Sequence, residues 1–193
     1  MSTFQIIMLL VSAFFAYKMY EFIQNMDPNA EPESIQEAER ISPEPTADEM
    51  IEEADAAYSE GDLDKAQLLL ENIVGVHPDL AEGHNKLAFV LAKQGDLAKA
   101  EEHYNRSLEL EPNDDMTHNA LAGMLASVER NTEAEEHYRK ALAIDGSYAP
   151  TWFNYANFKL RLGQTEEAKE MYQKALQSDP EFEQAREELE KLS

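Results

Sequence analysis

The sequence predicts an all-α chain. Four helical hairpins, closed by a short capping helix, stack into an α-α superhelix, and one N-terminal transmembrane helix precedes them. Three observations predict this. The chain matches itself at a shift of 34 residues. Each repeat holds two stretches with apolar residues at helical spacing, separated by a turn signal. An apolar run opens the chain.

Composition narrows the chemistry before any element is placed. The 193 residues carry 39 acids against 16 lysines and arginines, a net charge of −23. Negative phosphates repel such a chain, so nucleic-acid binding is excluded as a general activity. There is no cysteine, which removes disulfides, thiolate zinc sites, iron–sulfur clusters and a cysteine nucleophile. Hydrophobic residues make up 43%, enough for a core, and only 7 glycines argue against barrels and Gly-rich phosphate loops. The charge is uneven. Residues 1–26 are net neutral, residues 27–60 hold 12 acids and the single base Arg40, and the rest is moderately acidic.

Residues 1–26 read as a membrane anchor. From Phe4 to Tyr17 the chain is apolar except for Gln5 and Ser12, and Met19, Tyr20, Phe22 and Ile23 extend the run past Lys18. As a helix, residues 4–23 span about 30 Å, the thickness of a hydrocarbon core. Tyr17 and Tyr20 fall at interfacial depth and Lys18 near the end, where an ammonium snorkels to headgroups. Two readings compete with a single-pass anchor. A cleaved signal peptide would end near Val11-Ser12-Ala13, but no positive segment precedes the run. A buried soluble helix is the other. Lys18 is the only base flanking the run, which favours a cytoplasmic body over a periplasmic or other outer one.

Residues 27–46 form an acidic linker containing Pro28, Pro32, Pro43 and Pro45. Prolines and like charges keep such a segment extended. Ser34–Ile41 has room for a turn or two of helix. The linker reads as a solvated spacer, or as a docking segment for a basic partner.

The repeats follow as residues 47–80, 81–114, 115–148 and 149–182. Glu101-Glu102-His103-Tyr104 returns as Glu135-Glu136-His137-Tyr138, and His84-Asn85 as His118-Asn119. Ala66, Ala100, Ala134 and Ala168 stand 34 apart, as do Pro78, Pro112, Gly146 and Pro180. A fixed period of this size marks stacked supersecondary units. In the second unit, His84, Leu87, Ala88 and Leu91 keep helical spacing. Gly95-Asp96 ends that helix, and Ala100, Tyr104, Ser107 and Leu108 form the stripe of the next. Pro112 blocks continuation. Thr46 with Glu49, and Thr132 with Glu135, read as capping boxes. In residues 183–193, Ala185, Leu189 and Leu192 join Phe182 on one face, with Glu183, Glu187, Glu190 and Lys191 opposite, as a solubilising cap requires.

These residues resemble the tetratricopeptide repeat (TPR) family. The clearest copy is residues 81–114, with Leu87-Ala88, Leu91, Gly95, Ala100, Tyr104, Ser107 and Pro112. The fourth copy has Trp152, Tyr155-Ala156, Gly163, Ala168, Tyr172, Ala175 and Pro180. The third departs at Glu129 and Gly146, where Gly and Pro are usual. The first departs at Glu53 and Ile73. The resemblance covers residues 47–182 and implies a stack whose first helices line a concave groove. On that basis the expected groove residues are Asn85, Phe89 and Lys93, then Asn119, Gly123 and Ser127, then Phe153, Asn157, Leu160 and Arg161. Asn side chains hydrogen-bond a peptide backbone, Phe89 and Phe153 grip an apolar side chain, and Lys93 and Arg161 steer an acidic end. Some family members clamp a carboxylate with Lys, Asn and Arg. The matching positions here are Ile51, Asp55, Asn85, Ala120, Pro150 and Asn154, which lack the basic residues.

No catalytic constellation stands out, so no enzyme activity, cofactor or metal site is expected. The histidines His84/His118 and His103/His137 are repeat-equivalent and read as packing positions, with His77 the fifth. Asn105-Arg106-Ser107 fits a glycosylation sequon but falls mid-helix. The leading function is a membrane-tethered adaptor that binds a protein or peptide in the groove, in envelope or complex assembly. The alternative is a scaffold that self-associates through repeat ends or paired anchors.

Overall fold

The structure, a computed structural model, describes residues 17, 18, 20 and 45–192. It divides into two units, residues 1–45 and 46–193. In the first, Tyr17, Lys18 and Tyr20 are helical and exposed. The expectations for the rest of the apolar run and for linker residues 27–44 lie outside the described residues. Among the described residues no helix is long and apolar enough to cross a membrane.

The second unit is all helix and turn. Its elements are α1 (Ala47–Ser59), α2 (Leu63–Val76), α3 (Ala81–Gln94), α4 (Leu97–Leu110), α5 (Asp115–Ser127), α6 (Asn131–Ile144), α7 (Ala149–Arg161), α8 (Thr165–Ser178) and α9 (Glu183–Lys191). The helices pair as α1/α2, α3/α4, α5/α6 and α7/α8, with α5 also against α3 and α7, so the first helices of successive pairs stand side by side.

Two columns of alanine explain why the hairpins close. Ala54, Ala88, Ala122 and Ala156 sit on the first helices, and Ala66, Ala100, Ala134 and Ala168 on the second, all at most 1% exposed. A methyl group at each lets two backbones approach, and Leu70, Tyr104, Tyr138 and Tyr172 fill the space beside them. One apolar cluster runs from α1 to Tyr155 and Phe158 of α7. A second joins α7, α8 and α9 through Ala156, Tyr172 and Ala185, with Phe182 and Leu189 packed on it. The closing helix therefore covers the last hairpin as its pattern predicts.

The turns repeat too. Gly61, Gly95 and Gly163 end α1, α3 and α7 with φ of 83°, 90° and 75°, and Glu129 takes the same role after α5 at φ 62°. An L side chain is strained in that region, and glycine is not. Glu129→Gly is expected to stabilise the fold by about 0.5–1 kcal/mol, the relief of strain exceeding the added chain entropy. A urea midpoint that rises at constant m-value checks this, and an unchanged or lower midpoint counts against it.

Capping matches expectation at one end and departs at another. The Thr46 hydroxyl accepts from Glu49 N at 3.3 Å, and the Glu49 carboxylate accepts from Thr46 N at 2.9 Å, the reciprocal box. Thr132 does not open α6. That helix starts at Asn131, after the left-handed turn at Glu129, with no side-chain cap. Glu135 instead accepts from Lys159 and Tyr155 on α7, at 2.8 and 3.0 Å.

The histidines form two equivalent pairs. His84 Nδ1 meets His103 Nδ1 at 2.9 Å, and His118 Nδ1 meets His137 Nδ1 at 2.9 Å. The ring centroids are 5.2 and 5.0 Å apart, so the nitrogens point at each other rather than at a shared third point. Among the described residues no group of three or more His, Asp or Glu side chains is placed to hold a metal ion.

Candidate functional site

The first helices of the second, third and fourth repeats form a concave face with two joined hollows. The larger, about 430 Å³, lies among α3, α5 and α7, with Tyr104 of α4 and Tyr138 of α6 at its floor. The smaller, about 330 Å³, lies toward α1 and is lined by Tyr58, Met116 and Tyr148. Phe89, Asn119 and Ala120 line both.

Gly123 opens the larger hollow. Its repeat equivalents are Phe89 and Asn157. In the last repeat Asn157 Oδ1 accepts a 2.5 Å bond from the Tyr172 hydroxyl. In the third repeat the equivalent position brings no side chain to Tyr138, and the place a Cβ would take on Gly123 is 3.7 Å from the Tyr138 hydroxyl oxygen. Burial pushes Tyr138 up to about 12, with Arg161 opposing, so the phenol stays neutral.

The polar groups are held by one another. Asn154 Nδ2 donates to Asn119 Oδ1 at 3.2 Å. The Ser127 hydroxyl donates to Met124 O at 2.6 Å. Arg161 Nη2 donates to Ala126 O at 2.6 Å, at the C-terminal end of α5, and its guanidinium lies 5.8 Å from the Phe158 ring. Lys93 Nζ lies 5.1 Å from the Phe89 ring centroid. No Asp or Glu lines this hollow. In the smaller hollow, Asp55 is neutralised by Lys86 at 2.8 Å.

Of the residues expected at the groove, Phe89, Lys93, Asn119, Gly123, Ser127, Asn157 and Arg161 meet at the larger hollow. Asn85 lines the smaller one, its amide donating to the Thr117 hydroxyl. Phe153 and Leu160 lie elsewhere. Phe153 packs 5.7 Å from Tyr172 and 5.3 Å from Phe182, ring to ring, and Leu160 joins the cluster of the last hairpin. The reason is local: where Asn85 and Asn119 line the hollows, Phe153 is covered by Phe182 in the segment leading into α9. Asn154 and Phe158 take their place on the groove wall. The residue that covers Phe153 is Phe182, which follows the fourth helix pair, so reckoning within one pair does not bring it in.

Comparison with known proteins agrees with this geometry. Sequence models of the tetratricopeptide repeat match residues 79–145 and 125–192, together more than half of the chain. No curated protein matches significantly. Among solved structures, PilF of Pseudomonas aeruginosa is 21% identical, with 76% of this chain and 67% of that one covered at a TM-score of 0.70. MamA from Desulfovibrio magneticus RS-1 is 20% identical, with 76% and 82% covered at a TM-score of 0.62. The first TPR of Spaghetti (RPAP3), bound to the HSP90 peptide SRMEEVD, is 23% identical, with 58% and 89% covered at a TM-score of 0.54. At these identities the likeness to solved structures is one of fold. With its period, its alanine columns and its sequence matches taken together, the chain belongs to the tetratricopeptide repeat family.

Proposed function

We propose that the chain is a membrane-tethered adaptor that holds an extended segment of a partner protein against α3, α5 and α7. One observation carries this reading. The concave face is not a closed row of side chains but two connected hollows, opened by Gly123, with apolar walls and a few fixed polar groups, the composition of a recognition site. The complex of a structural neighbour with a peptide supports it by analogy of fold. Residues 4–23 would tether the body to the bilayer, on the cytoplasmic face by the placement of Lys18, and raise its local concentration there. A role in envelope or complex assembly belongs to this reading by analogy of architecture. No residue is nominated for catalysis.

Gly123 supplies the test. It lies within α5, and its Cβ position meets nothing closer than 3.7 Å. Gly123→Ala is expected to raise stability by about 1 kcal/mol through helix propensity alone. Gly123→Leu keeps the helix but fills the hollow, and is expected to remove partners captured by crosslinking in intact membranes. Retention of every crosslinked partner by Gly123→Leu would show that the groove is not the binding surface.

A further inference from the structure

We propose that the larger hollow takes an acidic side chain of the partner segment, while a neighbouring apolar side chain of that segment seats in the smaller one. This rests on the groove reading above and names the chemistry of its occupant.

The first support is the distribution of ion pairs. Among the described residues of the helical body, every lysine and arginine pairs with a carboxylate except Lys93, Arg161 and Lys174. Lys174 lies over Trp152. The other two stand on the larger hollow, in a chain of net charge −23. Acids outnumber bases by more than two to one, yet none reaches these cations. They are thus left available to an outside anion.

The second support is the direction of the amides. Asn119 and Asn157 each spend the side-chain oxygen internally, on Asn154 and on Tyr172. What they leave for the hollow is N–H. Arg161 uses one of its five donors on Ala126 O, and among the described residues Lys93 makes no hydrogen bond. The lining therefore offers many donors against few acceptors. A carboxylate accepts without donating and suits this lining, whereas an ammonium or guanidinium would meet like charges. These cations come from the last turns of α3 and α7, not from the clamp positions, where Ile51, Asp55, Ala120 and Pro150 stand.

The net charge of the body does not forbid this. Exposed charges beyond about 8 Å are largely screened at physiological ionic strength, while a contact at hydrogen-bonding distance in a partly enclosed site is screened far less. Elsewhere the acidic surface repels the same segment, which confines it to this one place. Toward α1 the walls turn apolar through Tyr58, Met116 and Tyr148, so the carboxylate and its apolar neighbour have a fixed order along the groove.

The test uses the full chain in a non-ionic detergent at physiological salt and three fluorescent decapeptides. They share one central Leu and carry Glu, Gln or Lys on both sides of it. The Glu peptide is expected to bind at least about tenfold tighter than the Gln peptide, the worth of one charge-assisted hydrogen bond, and the Lys peptide weakest. The double change Lys93→Gln with Arg161→Gln is expected to abolish the preference for Glu, so that the Glu and Gln peptides bind alike, with an unaltered helical spectrum. Equal binding of the Glu and Gln peptides, or a preference that survives the double change, overturns the inference and leaves the groove reading standing. Absence of binding by all three overturns both. Binding of the Glu peptide only after deletion of residues 27–44 would make the acidic linker the occupant and overturn the outside partner.

Discussion

Replacing Lys159 with alanine is expected to cost about 3–5 kcal/mol of folding stability, the loss typical of a buried ion pair with one partner removed. The lysine is 3% exposed on α7. Its ammonium holds Glu135 Oε1 at 2.8 Å and Glu167 Oε2 at 3.0 Å, tying α7 to α6 and to its own partner α8. Burial disfavours the charged ammonium, but the hydrogen bonds to the two carboxylates outweigh it and hold its pKa above the ordinary value. The Lys159 hydrogen bond is the largest influence on Glu135, and it keeps that carboxyl below its ordinary range. Removing Lys159 leaves Glu135 with the Tyr155 hydroxyl at 3.0 Å and the exposed Arg139 at 2.7 Å. The repeat makes a sharper version of the experiment. Leu91 and Leu125, both fully buried, occupy the same place in the second and third repeats. Lys159→Leu restores the repeat's apolar choice but takes from Glu135 its one buried cation. Lys159→Leu with Glu135→Gln removes the charge as well and is expected to recover most of the loss. Denaturant unfolding of the two single variants and the double variant measures the coupling, and a Lys159→Ala loss below about 1 kcal/mol would mean that the pair contributes as a surface pair does.

The contrast between Lys159 and Leu91 shows where sequence reading reached and where it stopped. The 34-residue period placed the hairpins, the alanine columns and the turns because each rests on a local rule that every repeat obeys. Ala66, Ala100, Ala134 and Ala168 had to be small wherever two backbones touch, and all are fully buried. A lysine in the column of Leu91 and Leu125 breaks the rule, and its compensation lies on another repeat, at Glu135. In the sequence that carboxylate makes the closing half of a capping box, because Thr132 stands three residues before it, a pattern indifferent to what packs from α7. The groove divides the same way. Phe89, Lys93, Gly123 and Asn157 follow from what the family resemblance implies about the first helices, and they line the larger hollow. Phe153 does not, because Phe182 from outside its own helix pair covers it. The hollow itself is not legible in the sequence, since it depends on how Gly123, Tyr104 and Tyr138 meet across helix pairs.

The second large effect is expected in acid, between pH 6.5 and about 4, and belongs to the histidine pairs. In each pair the inner ring donates its Nε2–H to a carbonyl that can only accept, His84 to Pro78 O at 3.0 Å and His118 to Pro112 O at 3.3 Å. Its Nδ1 is therefore bare, and the Nδ1–H of His103 or His137 fills the 2.9 Å gap. A pair can take one proton on the outer ring and keep this bond, but a second proton breaks it. Burial, then the positive charge His118 would carry, holds His137 down at about 4. Burial lowers His103 and His118 as well. A depressed histidine contributes stability above its unfolded value of about 6.5 and loses it as pH falls toward the folded value, because the unfolded chain takes the proton more readily. For His137 alone the loss amounts to about 3 kcal/mol. Glu133, Glu136 and Lys140 surround the second pair with Asp114 and Asp115, and Glu71, Glu102 and Lys99 surround the first. Glu133 and Glu136 are themselves held low by Arg130 and Lys140, so their share is lost only at lower pH. Asp115 is raised by burial and acts in the opposite sense, gaining stability as pH falls. The outer repeats supply the control, since Met50 with Leu69, and Trp152 with Met171, fill the same two places with apolar side chains. His118→Met with His137→Leu copies the first of these. With the first pair still present, its urea midpoint is expected to fall less than that of the parent between pH 7.5 and 5. Parallel curves for the two chains would assign the acid loss to the carboxylates instead.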